Sequence, residues 1–295
     1  MFSRAAASAG RVTRHFLLGL IDCRRHKLHD PPVPHSSQAP CRVVRVVVAA
    51  LLFIAPAAAA DEVKVATSGA FTAALVELVP QFETRTHHTV TTVFGASMGD
   101  TPDSIPNRLA RHQSIDLVIL ADSALDDLIR TGALTPGSRV DLVRSRIGMV
   151  VRHGAPKPDI STVDALVRTL RAATSIAYSS SASGVYLSTD LFPRLGVADD
   201  IRSKVKRIDV ERVAAVVARG DAEIGFQQIS ELLPERGVDL VGPLPDGAQK
   251  VTVFSAGLVA GARAVDAAKA LIAYLSSPAA AAAIQKSGLD PIGPH

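Results

Sequence analysis

The chain has 295 residues and a formal net charge of +4, but that charge is unevenly placed. Residues 1–60 hold eight Lys/Arg and two Asp/Glu, a net +6, so residues 61–295 carry +4 − 6 = −2. A mildly acidic body offers no basic footprint for nucleic acid, and both cysteines, Cys23 and Cys41, lie in the first 60 residues, which excludes disulfide and thiol chemistry from the rest.

Arg42 and Arg45 precede an apolar run at residues 46–54, and Ala58-Ala59-Ala60 follows it. That is the pattern of a secretory signal peptide cleaved after Ala60, and the run is well short of the ~20 residues that span a bilayer. No cysteine follows to carry a lipid anchor. Export to a periplasm is expected. The 295 − 60 = 235 residues that remain are enough for a sizeable core.

From Asp61 onward strands and helices alternate. Val63 and Val65 alternate with polar residues, the chain turns at Thr67-Ser68-Gly69-Ala70, and Leu75, Val76, Leu78 and Val79 then recur at helical spacing. Residues 89–94 read as a second strand ending in Gly95-Ala96-Ser97-Met98-Gly99, followed by a short helical face within residues 100–113. A strand at 115–120 and a helix at 124–131 stopped by Gly132 come next. Further strands are expected at 147–151, 175–178, 205–208, 222–226 and 251–259. Helices are expected from about 161 to 173 and at 185–195, 210–219, 229–233, 264–275 and 278–286, while residues 237–249 read as turn-rich.

The expected fold class is therefore α/β, with parallel-rich sheets flanked by helices. The long apolar strands near 147 and 251 suggest two lobes, residues 61–146 with 252–295 and residues 147–251, after an N-terminal extension and signal peptide at 1–60. Ligands in open α/β sheets bind beyond the carboxyl ends of strands, so a cleft between the lobes would be lined by strand-to-helix turns. Four such turns stand out: residues 67–69, 95–97, 179–184 and 225–228. Three are rich in Ser and Gly and none carries Lys or Arg. Hydroxyls and the free N–H groups of helix N-termini can hold a small anion without arginine. The plainer alternative for Ser68 is a helix cap and nothing more.

Thr67-Ser68-Gly69-Ala70, Asp116-Leu117-Val118-Ile119-Leu120, Tyr178-Ser179-Ser180 with Ser183-Gly184-Val185-Tyr186, the run from Gly220 to Gly225, and Val241-Gly242-Pro243-Leu244-Pro245 together carry a family resemblance. The chain resembles the extracellular solute-binding proteins related to the periplasmic molybdate-binding component of ABC transporters. The resemblance implies a type II periplasmic-binding-protein fold that captures a molybdate- or tungstate-like oxyanion and delivers it to a membrane permease. It implies ligand contacts from Ser68 and Gly69 on the first turn, Ser97 on the second, and Ser183 and Gly184 on the second lobe. Where the molybdate binders carry a tyrosine this chain offers Gln228, whose amide also donates. No catalysis, no cofactor, no protein-ligated metal and a monomer are expected.

Two further readings stay open. One is a binding protein for a small organic acid. The other is a secreted serine hydrolase, because Gly95-Ala96-Ser97-Met98-Gly99 matches Gly-x-Ser-x-Gly after a strand; Pro102 and Pro106, however, interrupt the helix that should follow, and no histidine lies in a late strand-to-helix loop. His87 and His88 are adjacent, which splays their rings apart on a regular element and argues against a metal pair.

Overall fold

A computed structural model describes residues 60–293; the expected signal peptide lies outside them. The chain runs β1 (Glu62–Ser68), α1 (Gly69–Thr86), β2 (Thr89–Gly95), α2 (Ile105–Ala110), β3 (Leu117–Ala121), α3 (Asp122–Arg130), β4 (Val140–Ser145), β5 (Ile147–Arg152) and α4 (Val163–Ala172). It continues with β6 (Ile176–Ser179), α5 (Ala182–Tyr186), a π turn (Leu187–Leu191), α6 (Phe192–Arg194), α7 (Ala198–Ile201), β7 (Val205–Ile208), α8 (Val213–Ala218), β8 (Ile224–Gln228) and α9 (Ile229–Leu232). It ends with β9 (Val238–Pro243), β10 (Thr252–Leu258), α10 (Val265–Leu275), α11 (Ala281–Lys286) and β11 (Asp290–Pro291).

The strands form two sheets, a six-stranded one ordered β11-β4-β10-β3-β1-β2 and a five-stranded one ordered β7-β6-β8-β5-β9. The two-lobed α/β architecture expected from the sequence is present, with helices on both faces of each sheet. In the first lobe, Phe71, Leu75, Leu78 and Phe82 recur at helical spacing on α1 and pack with α10 and α11 on one face, while Ile105, Leu125 and Leu128 of α2 and α3 cover the other. Central β3 and β8 are buried at every position, as strands covered on both faces must be.

The sheets are more mixed than expected. β1 pairs in parallel with β2 and β3, and β6 with β7 and β8, but β10, β4, β11, β5 and β9 join antiparallel. Part of the difference comes from β4 and β9, which the sequence concealed. β4 (Val140-Asp141-Leu142-Val143-Arg144-Ser145) interleaves charge with apolar residues, and β9 lies in the stretch read as turns and ends in Gly242-Pro243. β9 pairs only with β5, and an edge strand tolerates such an ending. The helix expected within 100–113 shrinks to Ile105–Ala110, with Pro106 in its first turn.

The chain passes between sheets at Arg146, the single residue between β4 and β5, and returns between β9 and β10. Two glutamines clamp this passage. Ile147 N–H donates to Gln249 Oε1 at 2.9 Å, and Gln249 Nε2 donates to the carbonyls of Ile147 at 2.9 Å and Leu244 at 3.3 Å. Gln228 accepts from Ser145 Oγ at 2.8 Å and donates to Thr252 Oγ1 at 3.4 Å, joining facing residues of β4 and β10. Replacing Gln249 with Ala removes three bonds at a half-buried site, and at about 1 kcal/mol each we expect a loss of ~2–3 kcal/mol. Urea melts should show a lower midpoint with an unchanged slope; a loss below about 0.5 kcal/mol would show that the passage holds without the clamp.

Candidate functional site

The carboxyl ends of the parallel strands β1, β2, β6, β7 and β8 open on one cleft of about 600 Å³. At ~30 Å³ per water that is room for about 20 waters, several times what one tetrahedral oxyanion fills. The first lobe contributes Ser68, Gly69, Gly95 and residues 101–103, and the second contributes the serine run 179–183, residues 208–212, Gln227, Gln228 and Glu231. Among the contacts that cross the gap, Ser97 N–H donates to Ser181 Oγ at 3.2 Å, Arg207 pairs with Asp100 at 2.9 Å, and Glu231 packs against Gly69.

Ser68 is the N-cap residue of α1, yet its hydroxyl makes no capping bond. Among the described residues it is one of three buried side-chain oxygens without a hydrogen-bond partner, and of those three it alone lines the cleft. Leaving such a group unpaired costs about 1–3 kcal/mol. A ligand acceptor in the cleft removes that cost, and the capping explanation does not account for the geometry. Ser183 lines the opposite wall, 2% exposed, with its Oγ 3.2 Å from Ser179 Oγ.

The other expected contacts fall differently. Gln228 borders the cleft, but its amide is engaged in the passage between sheets. Ser97 is fully buried and absent from the cleft wall; its Oγ accepts from Ala121 N–H at 3.0 Å, tying the turn after β2 to the end of β3. That placement does not support Ser97 as a ligand donor, and with no histidine among the described residues that line the cleft it does not support a hydrolase nucleophile either. Gly184 also stands off the wall. A Cβ there would collide with the Ser179 carbonyl, so glycine lets α5 pack against the end of β6.

Two charged residues were not anticipated. Arg212 is the one lysine or arginine among the described residues lining the cleft, and it precedes α8 on a turn outside the four expected ones. It makes no ion pair among the described residues. Three of the four lining carboxylates are neutralised by other arginines: Asp103 by Arg108 at 2.9 Å, Asp209 by Arg207 at 2.8 Å and Glu211 by Arg219 at 2.6 Å. The hydrogen bonds from Arg219 hold the Glu211 carboxyl below the ordinary glutamate range.

The fourth is Glu231. It retains some exposed surface, but its carboxyl is enclosed by protein, and burial pushes its pKa up to about 7 against the opposing pull of Arg212 and of the hydrogen bond from Gln227 Nε2 at 2.9 Å. A Cβ at Gly69 would strike Glu231 Oε1, so the acid of α9 rests on the first residue of α1. Only glycine leaves that seat open.

The model for bacterial extracellular solute-binding proteins matches residues 63–290. The chain belongs to this family. A molybdate-binding protein of Azotobacter vinelandii is 26% identical over 80% of this chain and 92% of its own length. The solved periplasmic molybdate-binding protein of that organism superposes with a TM-score of 0.63 at 20% identity, over 79% of this chain and 100% of that one, a likeness of fold. A Pseudomonas protein named aconitate isomerase is 48% identical over 83% of this chain and 94% of its own length. That relative carries the name of an enzyme and overturns the expectation that catalysis is absent.

The seat of Glu231 can be tested directly. An alanine at Gly69 should push the carboxyl off α1 and toward water, and weaker desolvation lowers an acid's pKa. In a carbon-detected NMR titration we expect the Glu231 midpoint to fall from about 7 toward the ordinary value of 4.5 in Gly69→Ala. A midpoint that stays near 7 would show that the enclosure does not depend on α1.

Proposed function

We propose that the cleft takes an unsaturated polycarboxylate of the aconitate class and interconverts its isomers. The observation that carries this reading is the placing of anion-receiving groups on both walls of one wide cleft. Ser68 at the N-terminus of α1 is on the first lobe, and Arg212 and the serine run are on the second. A single oxyanion is best served by donors converging on one point, whereas Gln228 is committed elsewhere and Ser97 is withdrawn. Separated receivers suit an acid with several carboxylates. The relative named aconitate isomerase supports the same reading.

Charge-assisted hydrogen bonds contribute about 1.5–3 kcal/mol each, so three or four of them supply ~4.5–12 kcal/mol before the cost of association, against the ~8 kcal/mol net that micromolar binding needs. Export belongs to the proposal, supported by the family match and by the signal-like pattern before Asp61. A permease partner is a further part, supported by family membership alone.

The test is calorimetric titration of the exported protein with cis-aconitate, trans-aconitate, citrate and molybdate, beside proton NMR of each aconitate isomer with catalytic protein. Both isomers should bind and interconvert. Arg212→Gln should weaken tricarboxylate binding about ten- to a hundredfold while leaving the unliganded melting curve in place, because Arg212 is exposed and makes no ion pair among the described residues. Tight molybdate binding with no response to either aconitate isomer would refute the proposal.

A further inference from the structure

The isomerisation proposed above, on which this inference rests, needs a group that takes a proton from carbon and returns one to carbon. In an aconitate-type acid the methylene sits between a carboxylate and the double bond. Its C–H is acidic because the electron pair left behind spreads over an allyl unit flanked by carboxylates. Of the four carboxylates lining the cleft, Asp103, Asp209 and Glu211 are each locked to an arginine and would have to surrender an ion pair to accept a proton. Glu231 has no such partner among the described residues. Gln227 Nε2 holds its Oε1 at 2.9 Å, and it stands where α9 of one lobe meets the first residue of α1 of the other, in the cleft that Ser68, with its unpaired hydroxyl, also lines.

We infer that Glu231 is the single acid–base group of the cleft, carrying a proton along one face of the bound substrate from the methylene carbon to the former vinyl carbon. In the first half the methylene C–H breaks, the carboxylate O–H forms, and the freed pair joins the allyl system. In the second half the O–H breaks and its proton bonds to the far carbon, leaving the double bond displaced by one position. No net electrons are gained or lost. The constitution of the acid is regenerated, and only the side on which the new double bond closes differs, so cis and trans forms interconvert.

The surroundings suit that traffic. Between the two halves the added negative charge lies on the substrate, where Ser68, the positive end of α1 and Arg212 can meet it. With a pKa of about 7, Glu231 is present both as base and as acid near neutral pH, which is the condition for efficient proton transfer in both directions. The two lobes contribute different parts, the base from the second and α1 from the first, so the site is assembled from both.

The experiment compares the exported protein with its Glu231→Gln and Glu231→Asp variants, using cis- and trans-aconitate as probes. Glu231→Gln should bind trans-aconitate within about fivefold of the parent by calorimetry, while kcat for isomerisation falls about 10²–10⁴-fold. Glu231→Asp, which keeps a carboxylate on a shorter arm, should fall between the two and covers the case in which the glutamine variant folds poorly. Aconitate dideuterated at the methylene gives an independent readout with the parent protein: one of the two deuterons must leave that carbon in a turnover, either moved to the other position or lost to solvent, while the second stays on what becomes the vinyl carbon. A glutamine variant that turns over within tenfold of the parent, or both deuterons retained on the original methylene carbon after turnover, overturns the role of Glu231 and leaves the isomerase reading standing. A parent protein that neither binds nor converts aconitate overturns both.

Discussion

The structure depends first on holding two sheets at a fixed relation through very little covalent chain. One residue, Arg146, separates β4 from β5, so small changes of backbone angle there would swing one lobe against the other. Gln249 and Gln228 remove that freedom locally by bonding the chain on either side of each passage. The five parallel strand ends can then face each other across a cleft of defined width, and the turns beyond them become a site. Gln228 shows how close structure and site lie: the residue borders the cleft while its amide secures the passage between sheets.

Within the cleft, stability is spent on function in two places. Ser68 Oγ is buried without a partner, and Glu231 is enclosed to the point that its acid form persists near neutrality. Either would be relieved by a small change, alanine at one position or glutamine at the other. Both remain where ligand and lobe closure can use them, as strained polar groups do at binding sites. Around them the remaining lining acids are neutralised by arginines, so Arg212 is left to set the attraction for anions.

Much of this was legible in the sequence, for local reasons. The Ser68-Gly69 turn follows from two alternating valines and a helical apolar period, and the serine run 179–183 follows from a strand that ends among hydroxyls. What escaped detection depends on tertiary convergence or on an element boundary. Arg212 fell inside a helix expected from residue 210; the helix starts at Val213, and that shift moves Arg212 from a solvent face to the rim of the cleft. Glu231 sits in the first turn of α9, where a glutamate ordinarily faces water and favours the helix dipole, and it is Gly69 of the opposing lobe and Gln227 of its own that meet its carboxyl. Ser97 errs the other way: its turn is the right one, but the chain rotates the hydroxyl inward to Ala121, which no spacing of residues reports.

These particulars explain how one scaffold can serve both capture and conversion. An oxyanion has no acidic C–H, so a site for it needs only donors, and a nearby carboxylate is a liability through like-charge repulsion. A carbon acid reverses that account. A carboxylate that burial has made partly neutral repels less, and on the proposed isomerase reading, with donors absorbing the charge of the substrate's own carboxylates, it would stand beside the bond that yields a proton. The change from one task to the other therefore does not require a new fold or a new cleft. On the proposed reading it requires a first-turn glutamate on α9, a glycine at the start of α1 to admit it, and a cation lining the cleft, all carried by turns that the two sheets already bring together.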